Sequence, residues 1–141
     1  MLSDDLKIKG HLTIALNGET VFDVPNLVVS TGKNFVASRI KDTTAAAMSH
    51  MGVGTSSTAA GAGDTTLGAE AARVALASTA VATNVVTYVG SFPAGTGTGA
   101  ITEAGLFNAS TAGTMFCRTT FAVVNKGASD SMTITWSVTV S

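Results

Sequence analysis

The 141-residue chain has one cysteine, Cys117, which excludes an intramolecular disulfide and a cysteine-based zinc site. Charge is scarce too: Asp, Glu, Lys and Arg make up 12% of residues, and the net charge is −1. The usual charged share is ~25%. So small a net charge gives no general attraction to nucleic acid or to an anionic membrane. Near the N-terminus Lys7, Lys9, Lys33, Arg39 and Lys41 are offset by Asp4, Asp5, Glu19, Asp23 and Asp42, which reads as a mixed surface and not a basic patch. No apolar run approaches the ~18 residues of a membrane span. The opening MLSDDLKIKG carries acids where a secretion signal carries bases, so no export signal is expected there.

Reactive groups are also few. A nucleophilic site needs Ser or Cys beside a base that an acid orients. The available imidazoles are His11, in a strand-like run, and His50, in a Met-rich stretch. Both read as structural or surface histidines, and no G-x-S-x-G elbow occurs. Gly95 to Ala100 spells G-x-G-x-x-A, but that fingerprint works only between a strand and a helix. The ITEAGLF that follows reads as another strand. Gly32-Lys33 lacks the upstream glycine of a phosphate loop. The acids Asp64, Glu70, Glu103 and Asp130 are scattered near turns, and no window supplies the alternating oxygens of a calcium loop. Trp136 and Tyr88 lie on apolar faces and read as core. No catalytic residue, metal site or cofactor is expected, and the chain does not read as an enzyme.

What the chain has is small and hydroxylated residues. Ala, Gly, Thr and Ser supply 72 of the 141 positions, and 45% of the chain is hydrophobic. A chain of this length forms one domain, here 1–141, which buries roughly 68–70% of its unfolded surface. The last third shows the clearest pattern. From Met132 to Val140, Met, Ile, Trp and Val share one face while Thr133, Thr135, Ser137 and Thr139 share the other. That is period-2 alternation, and a one-residue slip would put Trp136 in water. Asn17-Gly18 between two strand-like runs (6–16 and 19–24) signals a tight hairpin, because both residues accept positive φ. Pro25 is expected to end that pairing, since it has no donor.

One short helix is expected near residues 31–41, with Ser30 or Thr31 capping its free amides and Phe35, Val36 and Ile40 forming its apolar stripe. A short buried strand is expected within 48–53 and a surface loop over 56–63. The stretch 64–77 reads as a turn ending near Glu70 and then a strand from Arg73, in preference to an Ala-rich helix. Further strands are expected at 84–92, 100–108 and 115–124, with loops at 93–99 and 125–130. Seven or eight short strands without intervening helices predict an all-β fold, an antiparallel β-sandwich of jelly-roll type.

Four phrases carry a resemblance: TGKNFVASRI (31–40), MGVGTSSTAAGAGDTTLGAE (51–70), FPAGTGTGAITEAGLFN (92–108) and VVNKGASDSMTITWSVTV (123–140). Together they resemble small virion structural proteins of tailed bacteriophages, most of all the capsid cement, or decoration, proteins. The resemblance implies a jelly-roll protein, made in the host cytoplasm, that sits on the outer surface of an assembled capsid. There it would bridge major capsid protein subunits against internal DNA pressure, as a homo-oligomer (dimer or trimer). A tail, baseplate or fibre-attachment component is the alternative, as is a virion-surface sandwich that binds a receptor or glycan. Residues 1–6, poor in core-like side chains, are expected to form an arm. Leu2, Ser3, Asp4 and Asp5 in that arm are candidate contacts, as are Pro93, Gly95, Gly97 and Gly99 in a loop whose backbone a partner can approach closely.

Overall fold

A computed structural model of the protein describes residues 6–42 and 45–141. Nine strands and one helix follow in order: β1 (Ile8–Leu16), β2 (Glu19–Val28), α1 (Ser30–Lys41), β3 (His50–Gly54), β4 (Glu70–Ala75), β5 (Ser78–Ala82), β6 (Val85–Phe92), β7 (Gly99–Phe107), β8 (Met115–Lys126) and β9 (Met132–Val140). The strands make one antiparallel sheet in the order β4-β3-β7-β8-β2-β1-β9-β6-β5. The all-β class with one short helix holds, but the two-sheet sandwich and its jelly-roll topology do not: a single sheet is curled into a half-barrel.

Two features of the chain produce that shape. First, β2 serves both halves. It pairs with β1 from Glu19 to Asn26, and its last two residues, Leu27 and Val28, pair with Arg118 and Cys117 of β8. Second, β4 and β5 lie at opposite edges of the sheet but are joined through Leu76 and Ala77 alone. Three residue steps cover at most ~11 Å, whereas nine flat strands would spread over ~38 Å. The sheet must therefore curl until the two-residue link can reach from β4 to β5. The link extends both ladders: Leu76 donates its N–H to Ser49 O beside β3, and Ala77 donates to Val89 O on β6. Period-2 alternation tells which side chains share a face. It does not distinguish two stacked ribbons from one ribbon folded on itself.

The concave face holds the main core. Leu12, Ile14, Met51, Phe92, Ile101, Met132, Ile134 and Trp136 are buried there. Trp136 sits between Leu12 of β1 and Tyr88 of β6 in register, as the alternation of β9 required. The Asn17-Gly18 hairpin is present, with φ of 51° and 82°. Asn17 also ties this turn to the β8–β9 turn: its Nδ2 donates to Asp130 Oδ1 at 2.9 Å, and its Oδ1 accepts the Ser131 N–H at 2.9 Å. The Asn17 amide N–H, with the Gly127 N–H, holds the exposed Asp130 carboxyl below its usual range.

Several local expectations are corrected. Pro25 does not end β2, which runs on to Val28. At Pro25 only β1 flanks the strand, so half of its backbone positions need no donor. The strand β5, with its Thr83-Asn84 turn, has no place in the sequence reading because all five of its residues are exposed and no burial alternation marks it. Neither Ser30 nor Thr31 caps α1, whose N-cap is Val29 with no side-chain cap. The Thr31 hydroxyl donates to Met115 O at 2.8 Å instead. Phe35 and Val36 pack on the core, with the Phe35 ring 5.7 Å from that of Phe116, but Ile40 is 78% exposed.

The helix seats on β8 through Gly32, which is buried and leaves no room for a side chain: a Cβ there would overlap the Phe116 carbonyl oxygen. Gly→Ala inside a helix normally stabilises by about 1 kcal/mol. Here the sign should reverse. Gly32→Ala is expected to destabilise by about 1–3 kcal/mol, the usual overpacking cost, read from the midpoint of urea unfolding.

Candidate interaction surface

The long connection between β3 and β4 is a strap laid over the convex face of β3, β7 and β8. Glu103 of β7 is fully buried beneath it and accepts three backbone N–H bonds from it: Gly68 on Oε1 at 2.8 Å, and Ser56 and Ala69 on Oε2 at 3.0 and 2.8 Å. Arg118 of β8, also buried, donates to Glu103 Oε1 from Nε and Nη2 at 3.2 and 3.1 Å. Its Nη1 donates to Asp64 Oδ2 at 2.9 Å and its Nη2 to Thr58 O at 2.9 Å. Leu67 on the strap packs against Phe107 across Gly52 and Gly105, whose missing side chains make the room. The sequence reading placed Glu103 and Asp64 among scattered acids near turns. Glu103 instead lies mid-strand, and the available signal was one acid and one base, each inside an apolar strand.

Several other ionisable residues also have structural partners. Arg73 is bidentate to Glu70 at 2.9 and 2.7 Å, donates to Ala109 O and Ala112 O, and lies 3.6 Å from the Phe107 ring centroid. Lys126, buried, donates to Pro93 O at 2.9 Å. His11 contacts Asp23 on the exposed face of the β1–β2 hairpin. The Ser49 hydroxyl lies 2.8 Å from His50 Nδ1, its chain neighbour. Among the described residues, no group of three or more His, Cys, Asp and Glu is placed to hold a metal ion.

Of the candidate contact residues, Leu2, Ser3, Asp4 and Asp5 lie outside the described residues, and Leu6, at the end of the expected arm, is 69% exposed. In the 93–99 loop Pro93 and Gly95 are exposed. Gly97 is buried against Val53 and Phe92, with a positive φ of 68°, and Gly99 is half-buried. The turn is closed by the Thr96 N–H on Pro93 O at 3.0 Å. After it comes β7 and not a helix, so no helix N-terminus faces the glycines.

The sequence reading missed a groove between α1 and the β1–β9–β6–β5 end of the sheet. Its volume is about 360 Å³, and its walls include Phe35, Met48, Val86, Tyr88, Phe116 and Val138. Four of the protein's exposed large apolar side chains belong to this end: Leu6, Ile40, Val81 and Val140. Exposed apolar clusters of this kind mark binding surfaces. No protein-family model, curated protein or solved structure matches the chain.

Removing the Glu103 carboxylate leaves Arg118 buried beside one remaining carboxylate and orphans three N–H groups. Glu103→Ala should lose about 3–5 kcal/mol, with amide exchange accelerated first in 55–69. An undiminished unfolding midpoint would refute this account of the strap. Burial also raises two core groups. Cys117 moves from 9.0 to about 12, an effect that the adjacent Asn26 amide partly offsets, and Tyr88 moves from 10.0 to about 12. The unfolded chain releases these protons first, so stability should hold up to pH ~9 and fall between ~9 and ~12. Denaturant midpoints across that range test the sign.

Proposed function

We propose that the protein is a virion structural component of a tailed bacteriophage, a capsid cement protein that binds the outside of the assembled shell and bridges major capsid protein subunits. The observation that carries this reading is where the molecule places its polar and apolar groups. Its buried ionisable side chains are committed to holding the strap and turns, while an apolar groove stands open beside the helix with Ile40 and Val140 exposed on its lining. Such a protein has surface for binding proteins and little free chemistry for transforming molecules. The phrases that resemble decoration proteins agree with this. Hydroxyl-rich faces and exposed loops also agree, because they form hydrogen bonds to a partner without burying charge. Many weak contacts repeated over a shell sum to strong retention.

The test is binding to capsids that lack the protein. The purified protein should co-sediment with expanded shells in a copy number that tracks the major capsid protein, and should raise the temperature at which they release DNA. Attachment only at the tail, in a small fixed number, would place the protein in the tail or baseplate and reject the cement reading.

A further inference from the structure

The two edges of the sheet are protected unequally. The edge strand β4 carries the Glu70–Arg73 ion pair and packs beside β6. The other edge strand, β5, has no such protection. Its five residues, STAVA, are all exposed. They fall in a stretch, 74–102, that contains no charged residue and no histidine. An open edge presents unpaired N–H and C=O groups, and proteins blunt such edges with charge, proline or a covering element. β5 itself has neither charge nor proline; its Thr79 lines the groove that Arg39 and Ile40 of α1 also line, and its Val81 is 71% exposed.

We propose that β5 is the contact of a two-fold dimer in which it pairs antiparallel with β5 of a second copy. The sequence of the strand fits itself. With Ala80 on the axis, Ala80 faces the second copy's Ala80, Thr79 faces its Val81, and Ser78 faces its Ala82. β-branched side chains oppose each other on one face and small ones on the other, a favourable cross-strand arrangement. A two-fold axis sets each residue against its own kind or a near neighbour, so charge on this edge would repel itself. The uncharged stretch is what self-pairing requires. The pairing joins the two sheets and covers Val81 of each copy. It does not depend on the capsid reading, because its test measures mass and not attachment to a particle.

The test is sedimentation of the full chain and of variants at Ala80, whose side chain is exposed and outside the core. Wild type should have twice the monomer mass at about 10 µM, a concentration that detects micromolar association. Ala80→Lys and Ala80→Glu should each halve that mass with an unchanged circular dichroism spectrum, and an equimolar mixture of the two should restore it. If either variant fails to fold, Ala80→Cys replaces it: mild oxidation should give a covalent dimer, since buried Cys117 is out of reach. A monomeric wild type overturns the proposal and leaves β5 to a strand of a different protein. Dimerisation only after deletion of residues 1–5 assigns the groove to the chain's own N-terminal segment and overturns it equally. So does a charged variant that stays dimeric, a mixture that stays monomeric, or an Ala80→Cys protein that does not cross-link.

Discussion

The buried contact between Glu103 and Arg118 is the constraint on which the convex face depends. Taking two charges out of water costs several kcal/mol per ion, and the pair is tolerated only where the remaining donors and acceptors are satisfied. Here they are. Glu103 accepts three backbone N–H groups besides the guanidinium, and Arg118 reaches Asp64 and Thr58 O on the strap. The pair thus anchors a low-complexity segment, with help from the Ser30 N–H on Ala62 O and the Thr102 hydroxyl on Ser56 O. Small residues let that segment lie flat, and Gly52 and Gly105 let Leu67 reach the sheet. What reads as a featureless loop becomes a layer, which explains how β3, β7 and β8 are covered without a second sheet.

The concave face follows a different rule. Once two residues join β4 to β5, the curl is dictated by chain geometry, and the core fills whatever the curl encloses. Closure is incomplete at one end, where α1 lies across the opening and leaves a groove. Its lining joins core residues such as Val138 and Phe116 to exposed ones such as Ile40. The helix is positioned by Gly32 against Phe116 O and by Thr31 on Met115 O, both upstream of Ile40. The apolar stripe of α1 therefore has two jobs: its first part seals the barrel, and its last part stands in solvent.

How much of this the sequence reveals depends on the range of the interaction. β9, the Asn17-Gly18 turn and α1 are legible because their signals are local: alternation, positive φ and an apolar spacing. β5 is not legible, because an exposed edge strand carries no burial pattern. Pro25 misleads because a proline forbids a donor only on a side where a neighbour needs one. The choice between one curled sheet and a sandwich turns on Leu27 and Val28 pairing with Arg118 and Cys117, a contact about ninety residues apart in the chain. The strap anchor hides for the same reason. An isolated Glu in β7 and an isolated Arg in β8 gain meaning only when the Gly105↔Arg118 register brings them together. The groove is assembled from seven separate segments, and no single stretch announces it.

Scarcity of charge ties these observations together. A surface with few charged residues gains little from long-range steering, so its contacts must come from shape, apolar area and backbone hydrogen bonds. The protein offers all three at one end: a groove, four exposed apolar side chains and an unpaired strand edge. A lone monomer with that surface would risk indiscriminate edge-to-edge association. The liability becomes an asset when the edge is closed against a defined partner. The proposed symmetric pair would present its hydroxyl-rich outer faces in duplicate, and a duplicated face binds a repeating lattice far more tightly than a single one. The edge that makes the isolated chain vulnerable would, in the proposed dimer, be the feature that suits it to an assembly.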